Sequence, residues 1–259
     1  MKIRNIITFA FALILGNAIS QSNAPVKAQE KPILLMNGIA HLGNGQVINN
    51  SAIGFEKGKL TMVADATVVR IDMAKYEVIN VAGMHVYPGF IAPNSTLGLV
   101  EVDAIKSSAD EREIGDMNPH IRSIIAFTAD SKVIETARPN GILMAQITPR
   151  GGTISGTSSI VQLDAWNWED AAYQLDEGIH VNWPRTLTWN WKERKREANK
   201  DYEKQVSKLR AFLAKSKAYC ASTPSTTQLR EEAMCKLFEG DASLYIHTDR
   251  AGEMIRAVN

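Results

Sequence analysis

Between Met84 and Gly98 the chain reads MHVYPGFIAPNSTLG. Pro88-Gly89 interrupts regular structure, because proline lacks a backbone donor and glycine adopts turn conformations easily. Phe90 and Ile91 then open a short apolar run, and Asn94-Ser95-Thr96 closes it with polar side chains. This pattern predicts a strand that starts at Phe90 and carries polar groups to a site at its far end. It also divides the chain, since the residues before it and after it are patterned differently.

Residues 32–87 read as β-structure. Ile33 to Met36 is a short apolar strand ended by Asn37-Gly38, and Asn44-Gly45 and Asn49-Asn50 are turn signals. Ala52 to Phe55 and Leu60 to Val63 flank the turn Glu56-Lys57-Gly58-Lys59. Val68 to Ile71 and Glu77 to Val81 add two further expected strands. Short strands with turns at this spacing predict a small sandwich over residues 29–87.

Beyond residue 88 strands are expected to alternate with helices. Pro119 to Phe127 reads as a short helix. Gly141 to Ile147 (GILMAQI) is a continuous apolar run, as in a strand buried on both faces. Arg150 to Ser159 (RGGTISGTSS) reads as a loop, with a short strand from Ile160 to Leu163. Trp191 to Tyr219 reads as a helix, with Val206, Leu209, Phe212 and Leu213 recurring at helical spacing. Leu229 to Phe238 predicts another helix ended by Gly240, then a strand at Ser243 to His247 and a helix from Ala251. This order predicts an α/β chain, a small β-sandwich followed by an incomplete TIM-like (β/α) barrel over 88–259. A complete barrel takes about 250 residues, so the reading is either a truncated product or a half-barrel that needs a partner.

The N-terminus reads as a signal peptide over 1–28, with a retained N-terminal anchor as the alternative. Lys2 and Arg4 precede the apolar run Ile6 to Leu15, which is too short to span a bilayer. Cleavage is expected after Ser20 or Ala28, giving a periplasmic or secreted protein with no membrane attachment afterwards. Cys220 and Cys235 would then lie in an oxidising compartment, where they either pair or stay as two buried thiols. The chain is 45% hydrophobic and 22% charged, with a net charge of +1. No basic face with interleaved aromatics is present, so nucleic acid is not an expected partner.

The segment PGFIAPNSTLG resembles the first barrel strand of the amidohydrolase superfamily, in which PGFID-x-H-x-H-x-G delivers two metal-binding histidines. Pro88, Gly89, Phe90, Ile91, Leu97 and Gly98 match, whereas Asn94 and Thr96 stand at the two histidine positions and Ala92 at the aspartate. NGIAHLGNGQVINNSAIGFEKGKLTMV resembles the family's N-terminal segment. YIHTDRAGEMIRAV resembles a later strand whose terminal histidine, here His247, is a metal ligand. The exported, imidazolonepropionase-like branch is the one it looks most like. The resemblance implies hydrolysis of a non-peptide C–N bond, or of a dipeptide-like substrate, with a divalent ion, zinc foremost, polarising the carbonyl. The loss of the first-strand histidines implies the alternative, a pseudo-amidohydrolase without a metal that binds a small molecule or serves as partner to a second copy or to a paralogue.

Other residues carry weaker signals. Arg150, Gly151 and Gly152 are candidates to bind substrate, the arginine by holding a carboxylate and the glycines by presenting N–H groups. The loop is no P-loop, since it lacks the G-K-[ST] ending. Glu101 and Asp103 are candidates for a displaced carboxylate site. Trp166, Trp168, Trp183, Trp189 and Trp191 either line a groove or belong to core and interface. His120 and His180 are isolated histidines. No G-x-S-x-G elbow is present, and catalytic residues are not assignable from the sequence.

Overall fold

The computed structural model describes residues 25–222 and 225–258. The apolar run of the expected signal peptide therefore lies outside the described residues, as does Pro224. Among the described residues no helix is long and apolar enough to cross a membrane.

The N-terminal region is one five-stranded sheet. β1 (Ile33–His41) lies between β2 (Val47–Glu56) and β4 (Glu77–Asn80), β3 (Lys59–Asp65) extends the β2 side, and β5 (His85–Val86) joins the far end of β1. The hairpins β1–β2 and β2–β3 are antiparallel, while β4 and β5 run parallel to β1. Leu34, Met36 and Ala52 bury one face. The strand expected at Val68 to Ile71 does not form. Val69 and Ile71 instead pack as loop residues against this small core, partly buried and without a ladder partner.

A second five-stranded sheet follows, in the order β12-β9-β8-β7-β6. It comprises β6 (Phe90–Ser95), β7 (Ile142–Ile147), β8 (Ile154–Gln162), β9 (Ala172–Asn182) and β12 (Ser243–His247). β6 and β7 are parallel, as are β9 and β12, but β8 runs against both of its neighbours. Chain length explains the difference. A parallel return needs a crossover of a dozen or more residues, whereas the short stretch after Ile147 permits only a hairpin. The sheet is mixed and open at β6 and β12, consistent with part of a barrel wall.

Several local expectations are corrected. The loop expected through Ser159 ends at Thr153, and Ile154 to Ser159 are buried strand residues. β7 is buried only at its C-terminal end, with Leu143 half exposed. The helix expected from Trp191 begins at Tyr202. Before it lies a hairpin of β10 (Leu187–Asn190) and β11 (Lys195–Ala198). The Asn190 side chain sets that turn by accepting from the Lys192 and Glu193 N–H groups. The helix expected over Pro119 to Phe127 is reduced to one tight turn at Ser123–Ala126.

The described helices are α1 (Lys132–Ala137), α2 (Trp168–Ala171), α3 (Tyr202–Cys220), α4 (Leu229–Glu232), α5 (Cys235–Glu239) and α6 (Ala251–Val258). In α3, Tyr202, Val206 and Leu209 recur on one face and pack with Ile154, Ile179 and Val181 from the sheet. A second cluster, including Ile124, Ile134, Ile147 and Val161, covers the β7 and β8 end. α4 and α5 replace the single helix expected from Leu229, and Gly240 in the left-handed conformation ends α5. Cys220 and Cys235 form a disulfide with a Cα–Cα distance of 5.4 Å, joining the end of α3 to the start of α5.

Candidate functional site

Four strands of the mixed sheet point the same way, so their C-terminal ends meet at one edge. That edge is where open α/β sheets and barrels hold ligands. In register, His247 on β12 stands beside Asn182 on β9, and Ser95 on β6 beside Ile147 on β7. A cavity of about 420 Å³ opens there, lined by Asn94, Arg150, Asn182, Arg185, His247 and Glu253 among others.

Arg150 and Asn94 are locked together. Arg150 donates from Nη1 to Asn94 Oδ1 and from Nη2 to the Asn94 carbonyl, both at 2.7 Å. Asn94 has a left-handed backbone, φ 49°, which asparagine tolerates better than most residues. Its N–H leaves the β6–β7 ladder, where the register shifts, and donates to Gln146 Oε1 at 2.9 Å. No carboxylate among the described residues lies within ion-pair distance of Arg150. Burial pulls its pKa down, against a smaller opposing pull from Glu111. A partly buried guanidinium without a counter-charge is an electrostatic demand for an anion.

The other arginine of the wall, Arg185, faces Asp249 at 3.3 Å. Glu253 is buried and accepts from the Thr186 N–H and hydroxyl, each at 2.7 Å, and from the Thr248 hydroxyl at 3.3 Å. These hydrogen bonds hold its carboxyl below the usual range despite burial, the largest single influence, which pushes it up.

Behind the cavity lies a buried polar chain. His247 Nε2 is 2.8 Å from His180 Nδ1, and His180 Nε2 is 2.8 Å from Ser158 Oγ. Ser158 donates to Glu177 Oε1 at 2.5 Å. Glu177 also accepts from Gln146 Nε2 at 2.8 Å and from the Tyr245 hydroxyl at 3.0 Å. No lysine or arginine among the described residues pairs with Glu177, so these three donors satisfy a buried carboxylate. Tyr245 stacks on His180, ring centroids 4.8 Å apart. Gly178 permits that approach, because a Cβ there would sit 2.3 Å from the Tyr245 ring. Burial foremost, then His247 and Arg150, pushes His180 down to about 3. His247 is lowered by burial and then by Arg150. Both imidazoles are therefore neutral at pH 7.

The sequence candidates separate in three dimensions. Asn94, Arg150 and His247 meet in one cavity. Thr96 instead opens the next turn, its carbonyl accepting from the Leu99 and Val100 N–H groups. Gly151 and Gly152, both left-handed, turn their carbonyls to Asn182 Nδ2 at 3.4 and 2.8 Å. Glu101 and Asp103 are exposed. Trp183 is buried and donates to the Tyr202 hydroxyl, whereas Trp166, Trp189 and Trp191 are exposed, so the tryptophans share no single groove. Ser158, Glu177, Gln146, Asn182 and Tyr245 were not singled out by the sequence, although Tyr245 lies in the strand expected at SLYIH.

Among the described residues the donor set does not fit a resident divalent ion. Both oxygens of Asn94 already accept from a cation, and an ion beside them would face the Arg150 charge. His247 uses Nε2 toward His180, and no group of three His, Cys, Asp or Glu side chains among the described residues is placed to hold a metal.

No protein-family model matches the chain, and no curated protein matches it. Among solved structures, an amidohydrolase from Thermotoga maritima MSB8 superposes with a TM-score of 0.74 and 19% identity. The match covers 87% of this chain and 60% of that one, so the chain spans about three fifths of that protein's length. A putative prolidase from Bifidobacterium longum matches over 26% of this chain and 17% of its own, with 24% identity and a TM-score of 0.23. That overlap is too slight to carry an argument. Over most of its length, then, the chain shares the fold of an amidohydrolase.

Proposed function

We propose that this chain is a metal-free relative of the amidohydrolases whose strand-end cavity binds a small carboxylate-bearing molecule. The observation that carries the reading is the Arg150 guanidinium, fixed on both oxygens of Asn94 at the position where the resemblance expects a metal-binding histidine. A fixed cation without a carboxylate partner offers a carboxylate the charge and directed N–H groups that a metal would otherwise supply. The Cys220–Cys235 bridge supports an exported, oxidising setting, periplasmic or secreted.

A second reading is hydrolysis of a non-peptide C–N bond by the complete protein. It is favoured by His247, a neutral imidazole at a strand end backed by further hydrogen-bonding groups. Calorimetric titration with N-acetylglycine tests the first reading. Binding is expected in metal-free buffer, weakened about tenfold or more by Arg150→Gln, as for loss of a charge-assisted hydrogen bond to a buried partner. Binding that requires added zinc and survives Arg150→Gln would instead support the hydrolase.

A further inference from the structure

We infer that the buried chain Glu177–Ser158–His180–His247 is a polarised relay that fixes the tautomer of His247, leaving Nδ1 as an acceptor in the cavity. The ligand it selects is a carboxylic acid with an N–H or O–H donor close to the carboxylate. The inference rests on the carboxylate reading for its ligand, but not for its tautomer.

The direction follows from the end of the chain. A carboxylate only accepts, so Ser158 donates its one proton to Glu177 at 2.5 Å. The Ser158 oxygen is then an acceptor, and the contact at 2.8 Å is a donation from His180 Nε2. A neutral imidazole carries one N–H. His180 Nδ1 is therefore a lone pair, and the proton in the 2.8 Å contact with His247 belongs to His247 Nε2. By the same count, His247 Nδ1 is a lone pair. It makes no hydrogen bond with the described residues. It is also absent from the buried polar atoms lacking a partner, among which His120 Nδ1 stands alone. His247 Nδ1 thus reaches the cavity.

Two features of the same wall then define a ligand. Arg150 has five N–H groups, of which two are engaged by Asn94, leaving three with no side-chain or backbone acceptor among the described residues. His247 offers a neutral lone pair and no proton. A molecule bearing only a carboxylate satisfies the first and leaves the second facing water. N-acyl amino acids and hydroxy acids satisfy both. His180 acts here as a positioning residue, since it touches His247 and not the cavity ligand. Tyr245 stacked on its ring keeps it in plane with the relay.

Imidazole 15N chemical shifts of the full chain at pH 7 report the tautomer directly. The expected result is a protonated Nε2 and a bare Nδ1 on both His180 and His247. A protonated Nδ1 on His247 would overturn the relay, whatever binds. Ser158→Ala removes the acceptor that orients His180, and should convert the His247 signals to a mixture of tautomers. The ligand class is read by titrating N-acetylglycine against N-acetylsarcosine, which differ by the N–H donor. The wild-type chain should prefer N-acetylglycine about tenfold, the size of one buried hydrogen bond, and Ser158→Ala should bring the ratio near one. Equal affinities in the wild type would overturn the donor selectivity. Failure of both acids to bind, with the expected tautomer present, overturns the carboxylate ligand and the reading beneath it while the relay stands.

Discussion

The two sheets of this protein bury very different amounts of apolar side chain. The mixed sheet sits between two clusters, one with Ile124, Ile134 and Ile147, the other with Ile154, Ile179 and Leu209. The N-terminal sheet has a buried cluster of Leu34, Met36 and Ala52, and leaves Leu60, Val63, Val78 and Ile79 exposed. Buried polar side chains follow nearly the same division: among the described residues of the N-terminal sheet there is Ser51, which donates to the Gly38 carbonyl, and the rest lie beyond residue 117. A carboxylate, a serine and a histidine without a cation can be held only where surrounding side chains exclude water and supply donors. The candidate site thus lies in the part of the fold with enough core to support its desolvation.

Truncating each core should sharpen this contrast most. Ile147 is fully buried between strands, and Ile147→Ala is expected to cost about 3–4 kcal/mol by lost transfer energy and cavity formation. Leu34→Ala should instead loosen the N-terminal sheet alone. Hydrogen exchange followed by mass spectrometry distinguishes these outcomes, and loss of protection across both sheets in Leu34→Ala would break the comparison.

The disulfide should matter next. Cys220 and Cys235 are separated by 15 positions, and closing a loop of that size stabilises by about 3 kcal/mol through the unfolded chain. Reduction with dithiothreitol should lower the midpoint of urea unfolding of the mixed sheet. An unchanged midpoint would show that the helices α3 and α5 are held by packing alone.

Acid should have the smallest effect of the three. His180 titrates near 3 when folded and near its ordinary value of 6.5 when unfolded. Its folded pKa is depressed, so its contribution is complete above pH 6.5. Below that the unfolded chain binds a proton that the folded chain refuses, and stability falls until the pH nears 3. Between pH 6.5 and 5 the loss is about 2 kcal/mol, from roughly 1.4 kcal/mol per pH unit. Urea unfolding at the two pH values measures it. His180→Gln should flatten the dependence, and an unaltered slope would remove His180 as its source.

Local patterns were legible where one element decides its own structure. Pro88-Gly89 followed by Phe90 marked the start of β6, and SLYIH marked β12. The helical spacing of Val206 and Leu209 was equally readable, whereas β1, expected to end at Asn37-Gly38, runs on to His41. The sequence misread RGGTISGTSS, because glycine, serine and threonine suit loops and also suit a strand whose small side chains lie under tight packing. It misread the start of α3 because Lys-rich and Glu-rich segments fit a helix surface or an exposed hairpin equally well. The Asn190 side chain decides that case.

By itself the sequence determined where β6 and β12 lie and that polar side chains, Asn94 and His247 among them, stand at their ends. Which of those residues meet was decided by the tertiary structure. Asn94 and Arg150 are 56 positions apart and share two hydrogen bonds, and His180 and His247 are 67 positions apart and share one. Periodicity reports how each segment faces a core. It cannot report that parallel strands bring distant ends to one edge, or that burial there leaves a guanidinium without a counter-charge and two imidazoles neutral.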